Sequence, residues 1–170
     1  LAAADDAVTF YPGLFERIDH VYRSVSDAGL RSDQVRLATR VWQAFVRYGA
    51  RLPPPQRERL SAINQELAAL YAEFRAKVMT DENTWTPLHE EADLSGLPAS
   101  LVSAAAEAAR ERGLEHGWVI LNTRSSVDPF LTFASRRDLR EAVWKRFKSR
   151  GDNGDLNDTN RTITTIVRLR

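Results

Sequence analysis

Pro53-Pro54-Pro55, followed by an unbroken apolar stripe, most limits what this chain can become. Proline fits the first turn of a helix but not its interior, so the triplet ends one segment and opens the next. Behind it, Leu60, Ile63, Leu67, Leu70, Tyr71, Phe74 and Val78 recur at helical spacing. That stripe predicts a long amphipathic helix, which needs neighbours to cover its apolar face. Two earlier segments can supply them. Leu14, Ile18, Val21, Tyr22 and Val25 follow the same spacing, and Gly29 stands where a C-terminal cap would sit. Ser32 opens a second stripe of Val35, Ala38, Val41, Trp42, Phe45 and Val46, with Gly49 as its stop. Three amphipathic helices with short connections predict antiparallel packing.

The pattern then changes. Thr84 to His89 reads as a short strand, held to an edge position by Pro87. Ser95-Gly96-Leu97-Pro98 is a turn, and Leu101 to Arg112 is an Ala-rich helix ending at Gly113. Trp118-Val119-Ile120-Leu121 is the best strand candidate and a pairing partner for 84–89. Thr123 to Ser126 reads as loop, and Asp128-Pro129 as a helix start. Leu139, Val143, Trp144 and Phe147 mark another helix with a buried stripe, closed by Gly151. After a polar loop from Asp152 to Asn160, Asp158 or Thr159 can cap a last helix carrying Ile163, Ile166 and Val167. The expected fold is mostly α: an antiparallel helical bundle with a small two-stranded β insert. The helical parts span 13–80 and 128–170, and the β and helix insert spans 84–122. Residues 1–170 read as one region, without internal repeat or flexible linker.

Composition excludes several functions. Twenty-four Lys and Arg against 23 Asp and Glu give a net charge of +1, whereas a general nucleic-acid binder carries a basic excess. No apolar run reaches the length of a membrane-spanning helix, and no signal-peptide pattern is visible. Without Cys there is no disulfide framework, thiolate metal site or cysteine nucleophile. The chain starts at Leu1 rather than Met. It ends at Arg170 with the last apolar stripe unterminated by Gly or Asn. Either that helix docks on the body, or the chain was cut inside a longer protein; the missing stop signal favours the cut.

No catalytic, cofactor-binding or metal-ligating residue emerges. His89-Glu90-Glu91-Ala92-Asp93 superficially matches H-E-x-x-H, where two His one helical turn apart face one zinc and the Glu activates its water. Here Asp93 replaces the second His and the segment begins in a strand, so a solvated polar turn is expected. His20 and His116 have no second His at ligand spacing. Ser125-Ser126 has no adjacent base and no G-x-S-x-G elbow. The Gly151–Asp158 loop fails the calcium-loop pattern in both possible registers. Arg136, Arg137, Arg140, Lys145, Arg146, Lys148 and Arg150 form a basic cluster opposed by Asp138 and Glu141, read as a helix face that is solvated, meets an acidic partner, or contacts the missing part of the protein. The four Trp residues lie on stripes or strands, so core packing is their expected role.

The order of several stretches resembles the N-terminal helical region of the thimet oligopeptidase and peptidyl-dipeptidase (dipeptidyl carboxypeptidase) family of zinc metallopeptidases. They are residues 51–70, Leu-Ser-Gly-Leu-Pro at 94–98, Gly-Trp-Val-Ile-Leu-Asn-Thr at 117–123, the Asp/Asn-rich run at 149–160, and Phe45 to Ala50. The resemblance runs from about Tyr11 to the end. The short loop at 152–160 is closest to the bacterial peptidyl-dipeptidase branch.

The resemblance implies that the intact protein hydrolyses short peptides and releases C-terminal dipeptides. One zinc ion would be held by H-E-x-x-H and a later Glu, none of which has a counterpart here, so this chain alone is expected to be inactive and to carry no cofactor. This region would form part of the substrate-channel wall. Its partners would be the missing C-terminal catalytic domain and peptide substrate, with no nucleic acid and no membrane, in the bacterial cytoplasm or periplasm. A self-contained helical interaction module is the alternative, and a nucleic-acid surface at Arg136–Arg150 a weaker third. Exposure of Ile163, Ile166 and Val167 separates the first two.

Overall fold

The computed structural model describes residues 2–170. It is mostly helical with one two-stranded antiparallel sheet, as the apolar spacing predicted. Its helices are α1 (Ala2–Thr9), α2 (Leu14–Ser24), α3 (Ser32–Arg47), α4 (Pro54–Glu82), α5 (Ala99–Arg110), α6 (Arg124–Phe133), α7 (Arg137–Lys148) and α8 (Asn160–Leu169). The strands are β1 (Trp85–Leu88) and β2 (Trp118–Leu121), and a 3-10 turn spans Glu91–Leu94. The chain divides into two compact units, one reaching to Leu70 and the other running from Tyr71 to Arg168.

In the first unit, α2 and α3 form a hairpin whose contact is aromatic. Tyr22 stacks on Trp42 with ring centroids 4.1 Å apart, and Arg51 covers the indole at 4.7 Å. The indole N–H donates to Asp19 at 2.8 Å. Neither helix has a fully buried side chain, and Val21, Leu37 and Tyr48 are exposed. The triple proline opens α4 as expected. Arg57 in its first turns donates back to the carbonyls of Leu52 (2.6 Å) and Ala50 (2.8 Å), which satisfies the preceding loop. Helix α1 precedes the first recognised stripe. Its anchor is polar: Asp6 accepts from Ser61 Oγ at 2.7 Å and Asn64 Nδ2 at 2.8 Å.

The second unit holds the principal core. β1 pairs antiparallel with β2, Trp85 opposite Leu121 and Leu88 opposite Trp118. Helix α5 turns Ala105, Ala108 and Ala109 inward, and side chains this small let a strand approach closely. Leu88, Ile120, Val127, Phe130 and Val143 join Ala105 and Ala134 in one cluster. Phe130 is completely buried, and burying a side chain of that size contributes roughly 1.5–3 kcal/mol.

Two expectations need correction here. The Thr123–Ser126 segment is not loop: α6 begins at Arg124, and the Thr123 carbonyl accepts from Val127 N at 3.0 Å. Val127, Phe130, Leu131 and Ala134 form its inward face at i, i+3, i+4 and i+7. Pro129 sits inside this helix rather than at its start, removing one i→i−4 bond that the buried face outweighs. Trp144 is the second correction. Val143 is buried and Leu139 and Phe147 pack on the core, but Trp144 is 48% exposed. At 100° per residue it lies beyond the edge of the stripe the other three define.

Candidate functional site

The side chains singled out by sequence do not converge. His20, His89 and His116 are exposed and lie on α2, after β1 and in the turn before β2. Among the described residues, no three of His, Cys, Asp and Glu gather into a group that could hold a metal. The zinc implied by the resemblance therefore does not fit these residues. Ser126 Oγ accepts from Leu121 N at 3.1 Å and so joins the first turn of α6 to β2, away from any His.

The His89–Asp93 turn is structural, but not solvated throughout as expected. Asp93 is buried. It accepts from His89 N at 2.9 Å, Glu90 N at 3.2 Å and Arg136 at 3.0 Å. The two backbone N–H groups hold its carboxyl below the usual carboxylate range, with the Arg136 charge helping. Arg136 also grips Asp138 through two N–H groups, at 2.9 and 2.6 Å, which pulls that carboxyl down to about 2. One guanidinium thus ties the polar turn to the start of α7.

Sequence reasoning passed over Asp81, the centre of the 151–160 loop. It lies in the last turn of α4 and is 4% exposed. One carboxylate oxygen accepts from Gly151 N at 2.7 Å and Asn153 Nδ2 at 2.9 Å, while the other faces Asn157 Nδ2 at 3.4 Å. Its backbone carbonyl accepts from Asn122 Nδ2 at 2.9 Å. Helix C-termini disfavour negative charge, so an Asp in the last turn of a long helix was the available signal that donors must converge on it. Farther along the loop, Asp158 accepts from Asn160 N at 2.9 Å and Gly154 N at 3.1 Å. Asp158, rather than Thr159, therefore caps α8 with its side chain; the Thr159 hydroxyl turns back to the Gly151 carbonyl at 2.9 Å.

Within the basic cluster, Arg136, Arg140, Lys145 and Arg150 are committed within the chain. Arg150 pairs with Glu82 at 2.6 Å and Lys145 with Glu141 at 2.6 Å, while Arg140 donates to the Ser135 carbonyl at 3.3 Å. What remains open is a cleft beside α7 of about 680 Å³, lined by Leu131, Trp144, Phe147, Arg124 and Lys148 among others. A second cleft of about 380 Å³ shares Leu131 and Trp144 and adds Arg137 and Arg140. On α8, Ile166 is buried, but Ile163 is 43% and Val167 69% exposed, so two of the three stripe residues are only partly covered.

No protein-family model matches the chain. Curated proteins do match. The dipeptidyl carboxypeptidase of Salmonella typhimurium is 31% identical over 171 residues, covering 100% of this chain and 25% of that protein. Its Escherichia coli namesake is 31% identical over 158 residues, covering 92% of the chain and 23% of the relative. Oligopeptidase A of Escherichia coli is 27% identical over 167 residues, covering 93% and 24%. The chain spans about a quarter of the length of the curated relatives it matches. The chain is thus similar along its whole length to about a quarter of a dipeptidyl carboxypeptidase, and over 93% of its length to a like share of an oligopeptidase A.

Proposed function

We propose that these residues are the non-catalytic N-terminal helical region of a zinc-dependent peptidyl-dipeptidase, which hydrolyses short peptides and releases dipeptides from free C-termini. In that reading the helices build part of the substrate-channel wall. The zinc and every residue that holds it lie in the remainder of the protein, and no chemical step runs through the residues described above. The observation that carries the reading is the match to a dipeptidyl carboxypeptidase across 100% of this chain but only 25% of the relative.

The outer face of α8 supports it. Ile163 and Val167 stand exposed beside buried Ile166. A self-contained interaction module would dock its terminal helix and leave no apolar face over. Covering what is still exposed would contribute roughly 1 kcal/mol at Ile163 and roughly 1–2 kcal/mol at Val167.

The test is complementation. The purified chain is assayed for zinc and for cleavage of an internally quenched peptide, alone and mixed with the Salmonella relative lacking its matched segment. The expected result is no stoichiometric zinc and no hydrolysis alone, with peptide cleavage restored in the mixture. Chelator-sensitive cleavage by the chain alone, or failure of the two pieces to associate, overturns the reading.

A further inference from the structure

We propose that the double cleft beside α7 is a docking groove for an acidic peptide segment carrying an apolar anchor residue. The inference does not depend on the peptidase reading. It starts from Trp144, which stands 48% exposed beyond the edge of the buried stripe of α7. A large indole left in water costs apolar hydration and is characteristic of a surface that acquires a partner. Trp144 and Leu131 line both clefts, so the groove runs past the indole on either side.

Charge fixes the chemistry of the occupant. The carboxylates of the lining are Glu82, Asp128 and Glu141, and each already has an intrachain cation. Glu82 pairs with Arg150 at 2.6 Å, Asp128 with Arg124 at 3.0 Å and Glu141 with Lys145 at 2.6 Å. Among the described residues, Lys148 and Arg137 make no ion pair, and both are exposed. The groove therefore presents uncompensated positive charge at each end of an apolar centre. The spacing is regular. Arg137, Trp144 and Lys148 fall at i, i+7 and i+11, which places them on one face of α7. At about 1.5 Å per residue the cations are roughly 16 Å apart along the helix. An extended peptide advances about 3.3 Å per residue, so about five residues bridge them. The fitting segment carries carboxylates at its two ends and an aromatic or aliphatic side chain between them. A nucleic-acid strand fits less well, because its evenly charged backbone would have to pass three carboxylates.

The experiment is a fluorescence-anisotropy titration of the 170-residue chain with labelled, end-capped Glu-Asp-Gly-Phe-Gly-Asp-Glu. A counterpart with Lys at every acidic position and a labelled oligo-thymidine are run in parallel, at low and at physiological salt. The expected result is saturable binding of the acidic peptide, at least about tenfold tighter than its Lys counterpart and weaker as salt rises. Trp144→Ala, Lys148→Glu and Arg137→Glu each weaken it about tenfold or more. Arg168→Glu on α8 leaves it unchanged. All these positions are at least partly exposed, and circular dichroism verifies that each variant is folded before it is titrated. Equal binding of both peptides, no binding at low salt, indifference to the three substitutions, or tighter binding of the oligo-thymidine overturns the proposal.

Discussion

Replacing Asp81 isolates the polar hub of the second unit. In Asp81→Ala, the buried Gly151 N–H loses its acceptor at 2.7 Å and the Asn153 amide loses its acceptor at 2.9 Å. A buried donor left without a partner costs about 1–3 kcal/mol, and a hydrogen bond to a charged acceptor is worth about 1.5–3 kcal/mol. Asn153 can turn to water, so most of the loss falls on Gly151. The expected destabilisation is about 3 kcal/mol. For a chain of this length, that corresponds to roughly 6–12 °C in Tm. Asp81→Asn is the informative companion. One amide oxygen can still accept from Gly151 and Asn153, because both bonds fall on the same carboxylate oxygen. The new NH2 then faces only Asn157, whose amide, now donating at 3.4 Å, turns its oxygen inward to accept instead. Losing charge assistance alone costs about 1 kcal/mol. Urea unfolding of the three proteins gives the free energies, and hydrogen exchange at Gly151 reports the local bond. Equal losses for Ala and Asn, or less than about 1 kcal/mol for Ala, would refute the account of the loop as hung from one oxygen.

Acid should weaken the tie made by Arg136. Asp138 is held at about 2 and Asp93 below its ordinary value, so their contribution is complete above about pH 4 and is lost as pH falls towards 2. Thermal melts of Arg136→Met should show a shallower decline over that window than the parent. Trp42→Phe removes the indole N–H that chiefly holds the Asp19 carboxyl down, so its NMR titration should move up towards the usual carboxylate range, with Arg23 retaining part of the shift. Gly96 and Gly113 both have positive φ, at 87° and 76°. A Cβ on Gly96 would lie 2.3 Å from the Phe133 carbonyl oxygen, whereas one on Gly113 meets nothing within 4 Å. Gly96→Ala should cost about 2–4 kcal/mol and Gly113→Ala about 1–2 kcal/mol, compared by denaturant midpoints.

The elements legible in sequence were those whose apolar spacing alone dictates a surface. The stripe from Leu60 to Val78 became α4, and Trp118–Leu121 paired with the 84–89 segment as expected. What escaped was fixed by polar contacts between residues far apart in the chain. Helix α1 has no strong stripe and is pinned through Asp6 to Ser61 and Asn64. Asp81 lies about 70 residues before the loop it organises, and no periodicity marks such a pair. The start of α6 was hidden for a different reason. Pro129 pointed to a boundary, and its breaking tendency outweighed the Val127–Ala134 pattern until packing was visible. Trp144 was assigned to the core by residue type, although its angular position on α7 already placed it at the rim.

The small sheet has one more consequence. The register that sets Asn122 N on the Thr84 carbonyl aims the amides of residues 85 and 87 away from β2, towards the free side of β1. Residue 87 is proline and has no amide hydrogen to offer there. A stray strand laid along that margin would find the Trp85 donor and then a gap, so this four-residue ribbon cannot serve as a template for cross-β growth.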